Sequence, residues 1–382
     1  MHRYLLLPGP TPLPDEVLAA GARQMINHRG PEFGRILAET LAAAQRVFMT
    51  RHPVLPFTAS GTGGLEAAVT NLCSPGDTVI AVCSGWFGDR FAEIAEAFSA
   101  QVLRVTVPWG EAVDPQAVRD ALRMAPGARA VLVTHSETST GVRNDVAAIA
   151  AVVRETAALL VVDAVSSLGA IELRADEWGV DVVVTGSQKA LMAPPGLALV
   201  SVSDRAWAAA EAARLPRYYW SFARMRKDLK DGEAFTPFTP AIGVVYALHA
   251  GLGRLEAEGI AQVFARHRRM ARAVRAGVRA LGLRLVARDE DASEAVTAVW
   301  MPDGLDARAL LERLRVDHGV VMAGGQGPMA GKVFRFGHLG YVSDEALLAG
   351  LRALEVVLPQ IGGPAARGAA EAAREILAAA PA

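Results

Sequence analysis

Between residues 60 and 203 the chain alternates short apolar runs with longer segments of mixed polarity. The runs TVIAVC (78–83), QVLRVTV (101–107), ARAVLVTH (128–135), ALLVVDA (158–164), DVVVTGS (181–187) and LALVSVS (197–203) are predicted strands. The segments between them, such as FGDRFAEIAEAFSA and DVAAIAAVVRETA, repeat apolar residues at spacings of three and four, the mark of helices. Strands apolar on both faces that alternate with helices predict an α/β fold, a mainly parallel, mixed sheet covered by helices on both faces. Ligands of such sheets bind beyond the carboxyl ends of the strands.

After about residue 204 the pattern changes to arginine-rich helices and polar turns. A long helical stretch, VVYALHAGLGRLEAEGIAQVFARHRRMARAVRAGVRALG, leads into a mixed segment with strands predicted near EAVTAVWM (294–301) and GKVFRFGHLG (331–340). The reading is an N-terminal arm (1–18), a large domain (19–258) and a smaller C-terminal α/β domain (259–382), with no internal repeat. The Ala-rich stretch PAARGAAEAAREILAAAPA is expected to end in a helix.

Composition narrows the classes. Hydrophobic content of 52% with 21% charged residues belongs to a globular protein, and a net charge of -1 with a pI near 6.7 gives no electrostatic reason to expect nucleic acid as a partner. Mean hydropathy is positive at +0.24, yet charges, Gly and Pro interrupt every apolar run before the roughly 18 residues that a membrane span needs. The first residues, MHRYLLLPGPTPLP, lack the apolar core of a leader, so a cytoplasmic protein is expected. The two cysteines, Cys73 and Cys83, are too few for a disulfide framework or an iron-sulfur cluster and are expected to be buried thiols.

Candidate chemistry starts with a lysine. The chain has only four, Lys189, Lys227, Lys230 and Lys332, and Lys189 lies just past the strand DVVVT in TGSQKALMAPPG. Asp163 ends the strand ALLVVDA. An acid and a lysine at one sheet edge can form a simple ion pair. They also suit a pyridoxal phosphate site, where the lysine forms a Schiff base and the carboxylate holds the proton on the pyridine nitrogen.

Such a site needs a phosphate cradle and a platform for the ring. Ser60, Gly61 and Thr62, in FTASGTGGLEAAV, precede a helix-forming run whose N-terminus could hold a phosphate, although Ser and Thr beside Gly also cap ordinary helices. Trp86, in CSGWFGDR, can stack on a ring or simply close a core. The strand ARAVLVTH is followed by four hydroxyl or carboxylate residues, Ser136 to Ser139, before Thr140 and Gly141. Five strand ends thus each carry a group suited to one cofactor.

With these residues in view, the chain resembles a class V, fold-type I pyridoxal phosphate aminotransferase of the alanine-glyoxylate, serine-glyoxylate and serine-pyruvate branch. The motifs are LLLPGPTPLP, TASGTGGLEAAV, THSETSTGV, LLVVDAVSSLG, GSQKALMAPPG and KVFRFGHLG. The resemblance implies Lys189 as the Schiff-base lysine and proton carrier, Asp163 at the pyridine nitrogen, Trp86 on the ring, and Thr138 near the ring oxygen or Asp163. It implies that Ser60, Gly61, Thr62 and Gln188 hold the phosphate, and that Thr236 and Thr239 reach the phosphate of a neighbouring subunit in a homodimer with shared sites. Arg335 would bind the substrate carboxylate, a task for a guanidinium fork. His28 and Arg29 are candidates for the site entrance. Thr62 and Met192 stand where the mammalian peroxisomal enzymes have histidine and asparagine, and the final Ala-Pro-Ala is no peroxisomal address.

The implied activity is ping-pong transamination between alanine, serine or aspartate and glyoxylate or pyruvate. Two rivals stand beside it. A desulfurase or related lyase needs a mobile, reactive cysteine and has histidine before its lysine, where this chain has Gln188. A non-catalytic subunit, of the kind labelled as soluble hydrogenase subunit, would take up no pyridoxal phosphate. A nicotinamide site is disfavoured because SGTGG does not match G-x-G-x-x-G.

Overall fold

The computed structural model describes residues 4–230 and 232–379. The final Ala-Pro-Ala lies outside them. Seven strands form the central sheet: β1 (Val54–Ala59), β2 (Thr78–Cys83), β3 (Gln101–Thr106), β4 (Ala130–Thr134), β5 (Leu159–Asp163), β6 (Val182–Gly186) and β7 (Gly196–Val202), in the spatial order β1-β7-β6-β5-β4-β2-β3. Neighbours from β3 to β6 pair in parallel, and β7 runs antiparallel to both β6 and β1. The sheet is therefore mixed through one reversed strand, reached from β6 by a hairpin loop.

Alternation along the strands divides the core in two. Ile80, Val82, Val131, Val133, Leu160, Val162 and Val183 pack into one cluster, with helices α1 (Pro31–Phe48) and α4 (Ile242–Glu258). Their neighbours Val79, Ala81, Ala130, Leu132, Leu159, Val161, Val182 and Val184 pack into the other, with α2 (Gly61–Leu72) and α3 (Trp86–Ala97). Each buried Val or Leu contributes about 1.5–3 kcal/mol relative to exposure. That explains why these runs read as unbroken hydrophobic strands rather than alternating ones.

Two features differ from the expected pattern. Strand β1 goes unpredicted because Pro56 interrupts VLPFTA; Pro removes a ladder donor, and β1 tolerates it as the edge strand. The long helical stretch is two helices, α4 and α5 (Ile260–Ala280), broken at Gly259, whose φ of +86° suits glycine.

Beyond the break lies the smaller α/β domain. Its sheet joins β8 (Val296–Trp300), β9 (Ala323–Gly324) and β10 (Val333–Gly337), antiparallel, against α5 and α6 (Asp344–Gln360). The Ala-rich end forms a helix, Ala369–Ala378. Residues 4–11 cross this domain first: Tyr4–Leu5 pairs with Val320–Val321, and the Gly337 amide donates to the Leu6 carbonyl at 2.8 Å. Leu6 is wholly buried in the small-domain core.

Candidate active site

The carboxyl edge of the sheet collects the predicted residues. Ladder register sets Thr134 of β4 opposite Asp163 of β5, and Asp163 opposite Val184 of β6. Lys189 follows on the loop from β6 to β7. Helix α2 starts at the end of β1, and α3, led by Trp86, starts just past β2. After β4 a tight hairpin pairs Ser136–Glu137 with Val142–Arg143.

Asp163 is buried, and its Oδ1 accepts the Val165 amide at 2.9 Å. Burial pushes its carboxyl up to about 6, opposed by the Val165 bond and by the charges of Lys189 and Arg90, and reinforced by Glu137. The Lys189 amine is pushed down to about 8 by burial and by the Arg335 charge, against the pull of Asp163. A lysine in that range is a usable nucleophile and base near neutrality.

Lys189 is held by the N-terminal arm. Its Nζ donates to the Pro8 carbonyl at 2.6 Å, while Thr11 Oγ1 donates to the Lys189 carbonyl at 3.1 Å and the Thr11 amide to the Gln188 carbonyl at 3.2 Å. Gly9, at φ +124°, lies so close that a Cβ would stand 2.4 Å from Lys189 Cδ. The motif LLLPGPTPLP carries this contact, but nothing in its spacing says that a backbone carbonyl meets a side chain 181 residues away.

Arg335 comes from β10 of the small domain and is only 8% exposed. Its Nε donates to the Gly324 carbonyl at 2.8 Å, and Nη1 donates to the Thr138 carbonyl at 3.2 Å and to Gln326 Oε1 at 3.0 Å. Burial lowers its pKa to about 10, with Glu137 acting the other way. The guanidinium remains charged at neutral pH. Thr138 thus meets Arg335 through its carbonyl, a contact that the motif does not announce; Gln326 is a further neighbour that sequence reading missed.

The groups at this edge suit pyridoxal phosphate. At the start of α2 the Ser60 side chain makes no capping bond, so the first amide groups of a 12-residue helix and the Ser60 hydroxyl form a ready anion cradle. The close approach is built in: a Cβ at Gly61 would fall 2.5 Å from Val165 Cγ2. The buried Gln188 side-chain oxygen has no partner among the described residues, and the amide turned by 180° would present its NH₂ there as a donor to an anion. Trp86 stays 38% exposed at the same edge, beside Gly327 of the small domain. Together with Lys189 and Asp163, the donor set fits an aldehyde phosphate with a basic ring nitrogen.

Other candidates are not drawn into the cluster by this chain. Thr236 turns its hydroxyl to the Phe238 carbonyl at 2.7 Å, and neither it nor Thr239 bonds to Ser60, Thr62 or Gln188 among the described residues. Exposed Arg29 and partly buried His28 lie in the turn before α1, where the Arg29 amide donates to Asn27 Oδ1 at 3.0 Å. Cys73 and Cys83 are free and buried, and burial pushes both thiols up to about 12. Neither can act as the reactive thiolate of a desulfurase. Among the described residues no group of three or more His, Cys, Asp or Glu could hold a metal ion, and no helix is long and apolar enough to cross a membrane.

A mixed α/β sheet whose strand ends gather Lys189, the buried Asp163 carboxylate and the open N-terminus of α2 has the architecture of a fold-type I transferase. The chain belongs to the class-V aminotransferases, whose family profile matches residues 3–334. It is 42% identical to the L-aspartate–glyoxylate aminotransferase of Paracoccus denitrificans over 97% of this chain and 95% of that one. It is 45% identical to a protein named as the small subunit of soluble hydrogenase from Synechococcus sp., over 94% and 93%. Among solved structures, the pyridoxamine-pyruvate aminotransferase of Mesorhizobium loti superposes with a TM-score of 0.94 at 36% identity, covering 98% of this chain and 97% of that one. The protein is an enzyme, an aminotransferase that exchanges amino groups between amino acids and 2-oxo acids.

Proposed function

We propose that this aminotransferase works on pyridoxal 5'-phosphate joined to Lys189, with alanine, serine or aspartate as donor and glyoxylate or pyruvate as acceptor. The carrying observation is geometric: Lys189 follows β6 beside the Asp163 strand end, and Arg335 reaches the same edge through the Thr138 carbonyl, with Asp163 and Arg335 both buried. The bound cofactor supplies an electron-withdrawing ring. Asp163 would keep the ring nitrogen protonated, and Trp86 would cover one face of the ring. Ser60, Gly61, Thr62 and Gln188 would bind the phosphate and Thr138 the ring side near Asp163. Arg335 would grip the α-carboxylate, leaving the Lys189 amine to take and return the α-proton.

The site is proposed to be shared in a homodimer, with Thr236 and Thr239 of one chain serving the phosphate of the other. Support comes from the surface beside that segment, where Tyr218 is 64% and Tyr219 40% exposed and Tyr219 stacks on Phe238 at 4.9 Å. The arm (1–18), large domain (19–258) and small domain (259–382) are proposed as the functional divisions, with the turn at Gly259 between the last two. Two unpaired cysteines accord with a cytoplasmic setting.

The test is a half-reaction screen. Purified protein loaded with pyridoxal phosphate is mixed with single amino acids, and loss of the visible band is followed together with keto-acid release. Alanine, serine or aspartate is expected to bleach the band fully, and Lys189→Ala to show neither band nor turnover. A protein that forms no Lys189-dependent band, or keeps turnover without Lys189, would overturn the assignment.

A further inference from the structure

Glu137 is a fully buried carboxylate for which the transamination scheme has no task. It sits at the heart of the site. Its Oε2 accepts the amides of Phe87 and Gly88, each at 3.0 Å, and its Oε1 accepts the Ser139 amide at 3.1 Å and the Ser139 hydroxyl at 2.5 Å. That hydroxyl in turn accepts the Trp86 amide at 3.1 Å while it donates to Glu137. Trp86, Phe87 and Gly88 open helix α3, and their amides are the ones that a helix leaves without internal partners. Two side chains from the next strand end satisfy all three.

The arrangement favours the ionised carboxylate. Four donated bonds converge on the two oxygens, and three of them come from backbone amides that can only donate. Burial pushes the Glu137 pKa up, and the four donated bonds oppose that rise. Gly85 gives the room: a Cβ there would stand 2.5 Å from Ser139 Oγ and 2.6 Å from Glu137 Cγ.

The same hairpin faces the substrate side. Between Glu137 and Ser139 lies Thr138, whose carbonyl receives Arg335 Nη1. The Glu137 charge favours the charged guanidinium and raises Asp163. Three consecutive residues thus touch the start of the Trp86 helix and the tip of Arg335.

We propose that Glu137 is a positioning residue: with Ser139 it anchors the first turn of α3 and so the plane of the Trp86 ring, while its hairpin sets Arg335 at a fixed offset from that plane. One buried charge then registers the cofactor platform against the carboxylate fork. The inference rests on the pyridoxal phosphate reading of the site and adds to it a residue outside the expected contacts.

Glu137→Gln tests it without changing size. A carboxamide has one acceptor end, so whichever way it turns, its NH₂ meets two donors. In the holoenzyme we expect the dissociation constant for pyridoxal phosphate to rise at least tenfold, the quenching of tryptophan emission on loading to fall toward that of Trp86→Phe, and the half-reaction affinity for amino acid to drop. The pH midpoint of the Lys189-dependent band should also shift, because the Glu137 charge that raises Asp163 and favours the charged Arg335 is lost, and both of those groups act on Lys189. Ser139→Ala separates the two actions: it should weaken cofactor affinity and quenching while leaving the band midpoint at the wild-type value, since the Glu137 charge remains.

A folded Glu137→Gln protein with wild-type cofactor affinity, quenching and midpoint overturns the proposal while leaving the function reading intact. If that variant does not fold, Ser139→Ala decides alone, and wild-type affinity and quenching there overturn it. A wild-type protein with no Lys189-dependent band refutes the function reading, and this inference with it.

Discussion

Lys189 Nζ and the Pro8 carbonyl are hydrogen-bonded at 2.6 Å, and Gly9 packs directly along the lysine stem. A side chain at Gly9 meets both a clash and an unfavourable φ. Gly9→Ala is expected to destabilise the protein by about 1–3 kcal/mol and to slow formation of the Lys189-dependent band. Chemical denaturation and stopped-flow mixing with pyridoxal phosphate measure the two effects.

The depressed amine of Lys189 has a stability signature. Its pKa falls from 10.5 to about 8 on folding, so below pH 8 both states hold the proton and the cost of burying the cation is fully present. Between pH 8 and 10.5 the folded form sheds the proton first, and stability rises with pH. Cofactor-free Lys189→Met should therefore exceed the wild type at pH 7 by about 1–3 kcal/mol, with the gap closing across that window. Urea melts at pH 7, 9 and 10.5 give the comparison, and an unchanged gap would show that burial of the charge is not its source.

Arg335 has two separable effects. Arg335→Ala should raise KM for the amino acid about 10–100-fold, the range of a lost charge-assisted contact, and should raise the Lys189 pKa because a nearby cation is gone. Arg335→Lys should keep the Lys189 titration near wild type yet recover little of the KM, since an ammonium lacks the planar fork. Steady-state kinetics and a pH titration of the amine report the two independently.

The thiols provide a negative control. With both pushed up to about 12 by burial, iodoacetamide at pH 8 should label neither Cys73 nor Cys83 in the native protein and both after denaturation. Cys83→Ala should release no less keto acid than the wild type. Loss of transamination on Cys83→Ala, together with native labelling, would return the desulfurase reading.

Periodicity and strand ends made much of this architecture legible. Runs such as TVIAVC and DVVVTGS are apolar on both faces because helices cover both, so β2 and β6 stand out in the sequence. β1 was hidden by Pro56, which only an edge position permits. Lys189, Asp163 and Trp86 were visible as odd residues at the ends of apolar runs. Pro8 contributes a backbone oxygen, a group every residue has, so no residue type could reveal it. Glu137 stood within a visibly polar cluster, but its task depends on which amides lie across the strand end, and spacing does not encode that. Thr138 acts on Arg335 through its carbonyl for the same reason.

The route of residues 4–11 bears on how the molecule is made. During synthesis this segment leaves the ribosome long before its partners at Lys189, Val320 and Gly337, to which it is joined in the finished fold. The large sheet can pair before the small domain exists, since domains form in order of emergence. Contacts of such long sequence separation form late. The arm that fastens the Lys189 loop is itself held by strands at the far end of the chain, so the loop is expected to be secured only after that end has emerged.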